Sequence, residues 1–243
     1  MFRALAVAFL IALSSQAAAV TCENQRHDGN RFTVCAVDPV TENLRLFRAD
    51  ENGAPYGHFS KLDTALRNRG QSLSFAVNGG MYHTDRAPVG HYIEDGQEDM
   101  RVVSNAGPGN FGLLPNGIFC ITADRARVFE TLDYLARTPQ CDHATQSGPM
   151  LVIDGALHPA FLRDSTSRNI RNGVGATRDG KRAVFVISNN SVTFWEFASF
   201  FRDVLKLPNA LFLDGNISRM YAPDIGRNDL GFAMGPIIAV VAP

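Results

Sequence analysis

The sequence repeatedly places a short β-rich run next to an Asp-Gly or Asn-Gly pair. Such pairs adopt the positive φ angles of tight turns at little steric cost, so they favour hairpins and short connections. The strongest example is the pair of runs 173–176 and 183–188, which flank Asp179-Gly180 and predict a hairpin. The same turn signal occurs at Asp95-Gly96, Asn116-Gly117, Asp154-Gly155 and Asp214-Gly215. This pattern constrains the chain to a fold built largely from short antiparallel strands.

Two segments have the periodicity of amphipathic helices. The clearer one runs from about Thr193 to Lys206, where Thr193 and Glu196 have the spacing of a capping box. Its aromatic side chains are predicted to belong to the core. A second helix is predicted over Ser60–Arg69, with Ser60 as its N-cap.

Strands outnumber helices in this pattern. Runs 31–37 and 44–47, separated by a turn with Pro39, predict an N-terminal hairpin, and a short strand is predicted at 112–114. We therefore expect an α+β fold: a single domain with a large mixed or antiparallel β-sheet and flanking helices.

Composition excludes several classes of partner. The chain has 243 residues and is 45% hydrophobic, which is enough for one well-packed core. Its 23 Lys and Arg residues almost balance its 24 Asp and Glu residues, so no strong field favours nucleic acid or an anionic membrane surface. Binding of a bulk polyanion is therefore largely excluded.

The N-terminus has the pattern of a secretory signal peptide. Arg3 supplies a positive charge, Ala4–Leu13 an apolar run, and Ala17-Ala18-Ala19 a small-residue cleavage site. The apolar run is shorter than the roughly 20 residues that a transmembrane anchor needs. We expect residues 1–19 to be removed after Ala19, leaving a domain of residues 20–243 that is periplasmic or secreted.

Four cysteines follow the predicted cleavage site: Cys22, Cys35, Cys120 and Cys141. An even number in an exported chain favours disulfides over free thiols. A zinc site is the alternative, but the sequence has no CxxC pair to start one. Of the three pairings that four cysteines allow, short loops favour Cys22–Cys35 and Cys120–Cys141.

Familiar catalytic motifs do not occur. There is no GxSxG elbow, HExxH motif or Walker A loop. Residues 107–112 spell GxGxxG, but they contain Pro108 and no helix is predicted after them, so they are interpreted as a loop. The six histidines show no tight ligand spacing.

Polar residues instead cluster at the ends of predicted strands. The four groups are Asn78–Tyr82, Ser147–Pro149, Ser167–Gly173 and Asp214–Arg219. Each alone is typical of a tight turn. Together they supply a carboxylate in Asp214, neutral amides and hydroxyls, and an anion site from Arg171, with Arg168 or Arg219 beside it. That inventory suits a sugar or a phosphate ester, since arginine binds phosphate with two parallel hydrogen bonds.

Four motifs in this order resemble those of the phosphodiester glycosidase family, the family of the uncovering-enzyme domain. They are FAVNGGMY at 75–82, SGPMLVIDG at 147–155, RNGVG at 171–175 and LDGNIS at 213–218. The resemblance extends from about Arg31 to the end and is closest to short bacterial exported members. It implies hydrolysis of the bond between an anomeric carbon and a phosphate, as in N-acetylglucosamine-1-phosphodiester glycosidases.

The resemblance assigns roles to individual residues. Asp214 is expected to act as a base or to stabilise the oxocarbenium-like centre, Arg171 to clamp the phosphate, and Asn78 to position the substrate. Glu94 is a second candidate carboxylate. The expected substrate-binding residues are Gly79, Gly80, Tyr82, Ser147, Gly148, Asn172, Gly215, Asn216 and Ser218. No cofactor is required by the sequence, although Asp214 could contribute to a site for a divalent cation.

One position departs from the family pattern. The family usually has Gly or Ser where this chain has Asn216, which can also adopt positive φ. This departure leaves open a non-catalytic envelope protein of the same fold that binds a glycan. An exported hydrolase or lyase for a different linkage is a third hypothesis.

Overall fold

The computed structural model describes residues 20–214 and 217–243. The predicted signal peptide, together with Gly215 and Asn216, lies outside the described residues. Within the described residues, no helix is both long enough and apolar enough to cross a membrane.

The secondary structure is dominated by strands. In chain order they are β1 (Thr21–His27), β2 (Asn30–Val37), β3 (Asn43–Phe47), β4 (Ser72–Asn78), β5 (Tyr92–Glu94), β6 (Gln97–Met100), β7 (Gly117–Thr122), β8 (Arg125–Glu130), β9 (His143–Ser147), β10 (Met150–Ile153), β11 (Ala156–Leu157), β12 (Asn172–Ala176), β13 (Ala183–Ser188), β14 (Asn209–Asp214), β15 (Met220–Ala222), β16 (Arg227–Asn228) and β17 (Ile237–Ala242). The helices are α1 (Phe59–Arg67), α2 (Thr131–Arg137) and α3 (Phe194–Ser199). A π-helical turn, Phe200–Val204, extends α3, and Pro223–Ile225 form a 3-10 turn.

The described strands form three sheets. The seven-stranded sheet has the order β1-β2-β13-β12-β14-β10-β11, and two five-stranded sheets have the orders β16-β15-β4-β17-β3 and β6-β5-β9-β7-β8. We call them the first, second and third sheets. Every pairing between described strands is antiparallel. The α+β class and the single domain predicted from the sequence are confirmed.

The main core lies where the inner faces of the three sheets meet. Phe185 of the first sheet, Phe75 of the second and Phe119 of the third are all fully buried there. The ring of Phe185 packs against both others, with centroid distances of 5.1 Å to Phe75 and 5.8 Å to Phe119. One apolar cluster therefore joins all three sheets into a single folding unit.

Each sheet has an inner and an outer face, because side chains alternate between the two faces along a strand. One helix packs on the outer face of each sheet. Helix α3 buries Phe197 against the first sheet, α1 buries Leu62 against the second, and α2 buries Tyr134 against the third. The three helices therefore cover outer faces, and the strand ends are left to form the site.

The capping box predicted for α3 is confirmed. The amide of Glu196 donates to Thr193 Oγ1 at 3.1 Å, and the amide of Thr193 donates to Glu196 Oε2 at 2.8 Å. The prediction of Ser60 as the N-cap of α1, in contrast, is wrong, because the helix begins at Phe59 and its N-cap is His58. The earlier start buries the Phe59 ring against the second sheet.

Two predictions about strands are wrong. Residues 31–37 and 44–47 do form strands, but not a hairpin with each other. Both edges of β2 are occupied, by β1 and by β13, so β3 pairs with β17 in another sheet. Residues 112–114 form turns rather than a strand.

Both predicted disulfides are present. Cys22–Cys35 joins residues directly opposite each other on β1 and β2. Cys120–Cys141 connects β7 to the segment after α2, with a sequence separation of 21. The bridges therefore tie the N-terminal strand and the α2 segment to their sheets.

Removal of the second bridge is expected to lower stability. The double substitution Cys120→Ser with Cys141→Ser releases the chain around α2 in the unfolded state, and the expected loss is about 2–4 kcal/mol in the free energy of unfolding. Urea denaturation followed by circular dichroism measures it. Single Cys22→Ser and Cys35→Ser variants serve as references for the first bridge. An unchanged urea midpoint in the double variant would contradict the prediction.

Candidate functional site

Strand ends from all three sheets meet at one place in the structure. Strand β4 of the second sheet ends at Asn78, and β9 of the third sheet ends at Ser147. In the first sheet, β12 begins at Asn172 and β14 ends at Asp214. Four of the residues predicted from sequence motifs are thus brought together by the topology.

A reciprocal pair of amides joins the first and second sheets. Asn172 Nδ2 donates to Asn78 Oδ1 at 2.7 Å, and Asn78 Nδ2 donates to Asn172 Oδ1 at 3.3 Å. Both side chains are fully buried. The backbone amide of Arg219 also donates to Asn78 Oδ1, at 2.9 Å, so one amide oxygen fixes two strands beside it.

Two hydroxyl groups attach the third sheet to the others. Thr145 Oγ1 donates to the carbonyl of Gly79 at 2.6 Å, and Ser147 Oγ donates to the carbonyl of Leu213 at 2.9 Å. We call these bonds, together with the amide pair, the polar seam. Thr145 was missed in the sequence analysis, although it lies two residues before Ser147 and so on the same strand face.

Asp214 is held at the edge of the seam through its backbone. Its amide donates to Asn172 Oδ1 at 3.1 Å, and its carbonyl accepts a 2.7 Å hydrogen bond from Ser218 Oγ. The residue is only 7% exposed. Its neighbours Gly215 and Asn216 lie outside the described residues, so their predicted roles stay predictions.

Tyr82 lies close enough to Asp214 for the two to interact electrostatically. Burial, and then the charge of Asp214, raise the pKa of the Tyr82 phenol. The phenol donates to the carbonyl of Ala233 at 3.2 Å. It is therefore protonated at neutral pH, and because its one O–H is donated to Ala233, its oxygen can act as a hydrogen-bond acceptor near Asp214.

Glycines permit close approach of the backbone at two points of the site. Gly80 has a φ of 128°, and a Cβ there would lie 2.9 Å from Thr145 Oγ1. A Cβ on Gly148 would lie 2.8 Å from Asn116 Cβ. Larger residues at either position would push the strand ends apart.

The structure does not place the Arg171 guanidinium in the seam. Side chains alternate along a strand, so Arg171 points away from the side to which Asn172 points. Its Nε donates to the carbonyl of Val192 at 3.0 Å, its Nη2 donates to that of Ser167 at 3.2 Å, and it stacks 3.6 Å from the Phe194 ring centroid. Burial lowers the pKa of Arg171 to about 10.

Glu94 is also outside the cluster. Strand β5 runs antiparallel to β9, with Ile93 opposite Ala144, so Glu94 lies beside the start of β9 rather than beside Ser147. The length of β9 corresponds to about 13 Å along a strand. Glu94 accepts a 2.7 Å hydrogen bond from the Tyr92 phenol, and burial raises the pKa of its carboxyl group.

No metal centre is recognisable among residues 20–214 and 217–243. Within these ranges, no group of three or more His, Cys, Asp or Glu side chains is arranged to hold a metal ion. The question of a divalent cation therefore passes to experiment.

Loss of the amide pair is expected to destabilise the fold. Asn78→Ala leaves the Asn172 amide and the Arg219 backbone amide buried without their acceptor, and we expect a loss of at least about 2 kcal/mol in the free energy of unfolding. Chemical denaturation measures this change. Asn52→Ala, on an exposed turn, is the matched control and should leave the midpoint in place. Equal stability of the two variants would show that the seam contributes little.

Comparison with known proteins places these residues in a family. The model of the phosphodiester glycosidase family matches residues 71–234, a span that contains every described residue of the seam. The uncharacterised protein YigE of Escherichia coli strain K12 is 36% identical over 185 residues, which cover 76% of this chain and 72% of that protein.

Solved structures show the same fold at low sequence identity. The catalytic domain of zebrafish N-acetylglucosamine-1-phosphodiester alpha-N-acetylglucosaminidase, auto-inhibited by its pro-peptide, has a TM-score of 0.59 and 15% identity, over 94% of this chain and 84% of that chain. A hypothetical protein from Synechocystis has a TM-score of 0.58 and 13% identity, over 92% of this chain and 62% of that chain. The match of the family model to residues 71–234 identifies this chain as a member of the phosphodiester glycosidase family.

Proposed function

We propose that the protein is an exported hydrolase that cleaves the bond between the anomeric carbon of a sugar and a phosphodiester. One observation carries the proposal: three of the family-like motifs place Asn78, Asn172 and Asp214 in one hydrogen-bonded cluster where the three sheets meet. Family membership supports the reaction class. The two disulfides are consistent with an oxidising compartment, in agreement with a periplasmic or secreted protein.

The reaction needs charge stabilisation more than protonation. The bond between the anomeric carbon and the phosphate oxygen breaks, and its electron pair stays on that oxygen. A water oxygen then bonds to the carbon and gives up a proton. Since the departing phosphate is already stable as an anion, the main requirement is to stabilise the positive charge that develops on the sugar ring.

Asp214 is the proposed carboxylate for this step. It would stabilise the developing positive charge or accept the proton from water. The seam fixes its backbone on both sides, through Asn172 and Ser218, so the carboxylate has a defined starting position. Such positioning lowers the barrier because little reorganisation is needed during the reaction.

Residues in and beside the seam would shape the sugar site. The proposed binding group is the phenol oxygen of Tyr82. Ser147, Gly79, Gly80 and Gly148 are buried, and they would shape the site by allowing the strand ends to pack closely around it. A phenol oxygen of this kind can hydrogen-bond with sugar hydroxyls. A carbohydrate or sugar-phosphate ligand is thus the expected partner.

The proposal is tested by activity on a panel of chromogenic sugar-phosphate diesters. The protein is produced by export with both disulfides formed, and it is assayed with and without a chelator. Asp214→Asn keeps the shape of the side chain but removes its charge, so we expect at least a 100-fold loss of kcat, within the range of about 10²–10⁴ for a positioned acid or base. Loss of activity with chelator would establish a metal requirement.

Asp203→Asn provides the matched control. Asp203 lies on the outer helical layer and pairs with Arg202, so its neutralisation should leave turnover intact. Turnover that survives in Asp214→Asn would remove this carboxylate from the mechanism. Binding of glycans without release of the chromogenic product from any diester would instead favour the non-catalytic glycan-binding protein.

A further inference from the structure

Arg219 is a buried cation with unused hydrogen-bonding capacity. The residue is 5% exposed, and its Nε and Nη2 atoms have no hydrogen-bond partner among the described residues. Its backbone amide is fixed by Asn78 Oδ1, so the side chain starts from the seam. Burial lowers the pKa of Arg219, against the opposing effects of Tyr82 and Asp229. Such burial is costly unless a partner satisfies the cation.

Two neighbouring arginines are satisfied by the protein itself. Arg171 donates to backbone carbonyls and stacks on Phe194. Arg227 donates from Nη1 to Thr33 and Asn189, at 2.8 and 2.7 Å, and pairs with Asp229 at 2.8 Å. Arg219 differs from both because its Nε and Nη2 atoms have no hydrogen-bond partner in the described part of the chain.

An open cleft of about 710 Å³ lies beside this cation. Its volume is in the range of small-molecule sites. Arg219 and Ser218 form its border with the site, and Ser218 Oγ is bonded to the Asp214 carbonyl. One residue that lines the cleft is therefore hydrogen-bonded to the backbone of Asp214.

The wall of the cleft suits a hydroxylated ligand. It carries the amide side chains of Asn24, Asn189 and Asn228 and the hydroxyls of Thr33 and Ser188. Thr33 and Asn189 already bond with each other and with Arg227, and the wall also holds the Arg227–Asp229 ion pair, so a ligand would use the remaining hydrogen-bonding capacity of these amides and hydroxyls. A sugar or polyol offers the complementary groups, whereas an acyl chain does not.

We propose that Arg219 binds the phosphate of the substrate and that the cleft beside it holds the hydroxylated alcohol on the far side of that phosphate. A guanidinium binds a phosphate through two parallel charge-assisted hydrogen bonds. The Nε and Nη2 atoms of Arg219, which are buried and have no partner among the described residues, would form these bonds after a side-chain rotation toward the cleft. The proposal rests on the proposed function for the diester, and it names the anion-binding residue and the class of aglycone.

Titration calorimetry with inorganic phosphate tests whether Arg219 binds the phosphate. Arg219→Met removes the cation but leaves the backbone hydrogen bond to Asn78, so we expect affinity for phosphate to fall roughly tenfold or more. Arg202→Met, on the outer helical layer, is the control and should keep the wild-type affinity. Phosphate binding that survives in Arg219→Met, or that is lost only in Arg171→Met, would overturn the proposal.

Thermal unfolding separates ligand binding from a structural role. Because Nε and Nη2 of Arg219 have no partner in the part of the chain that the structure describes, Arg219→Met should have a melting temperature equal to or above that of the wild type in the absence of phosphate. Phosphate should raise the melting temperature of the wild type but not of this variant. A variant that is less stable without phosphate would indicate a structural arginine.

A variant that blocks the cleft tests whether the cleft holds the alcohol. Asn228→Trp fills the exposed wall, so kcat/KM should fall more for a diester whose alcohol is a sugar than for its methyl counterpart. An equal effect on the two substrates would place the alcohol elsewhere.

If phosphate binds through Arg219 but no diester is cleaved, the proposed function fails and the anion site stands. If the protein cleaves diesters and needs Asp214 to do so, but Arg219→Met binds phosphate as the wild type does, then the proposed function stands and only the proposal about Arg219 fails.

Discussion

The hydrogen bonds between Asn78 and Asn172 fix the relation between two sheets whose shared core is apolar. Hydrophobic contact has no direction, so it brings sheets together without setting their register. Two buried amides that satisfy each other do set it, because a shift would leave strong donors and acceptors unpaired. The bonds from Thr145 and Ser147 add the third sheet to the same arrangement. The position of each strand end in the site depends on this polar seam.

The same bonds connect stability to chemistry. Asn172 Oδ1 accepts from the backbone of Asp214, and Asn78 Oδ1 accepts from the backbone of Arg219. The proposed carboxylate and the proposed anion-binding cation are therefore held by the two halves of one amide pair. Their separation is defined by the fold before any substrate arrives, which is the condition for electrostatic stabilisation at low reorganisation cost.

Local features could be predicted from the sequence, whereas long-range ones could not. The Thr193–Glu196 capping box and the hairpin at Asp179-Gly180 depend on residues close in the chain, and both are present. Pairing of β2 with β13 depends on residues about 150 positions apart, so proximity in sequence wrongly favoured β3 as its partner. The motif RNGVG located the site, but strand alternation turns Arg171 away from it. The burial and missing partners of Arg219 are tertiary properties that no local pattern reveals.

The three helices cover outer faces, while the seam lies at strand ends. A substitution on a helix thus changes how firmly one sheet is covered, but it does not reach the atoms that align Asp214 and Arg219. Sequence can therefore drift across the helices and sheet faces while the strand ends keep their arrangement. The TM-score of 0.59 at 15% identity with the zebrafish catalytic domain shows that the fold is shared while most side chains differ. Whether a relative of this chain keeps the amide pair is therefore a separate question from its overall identity.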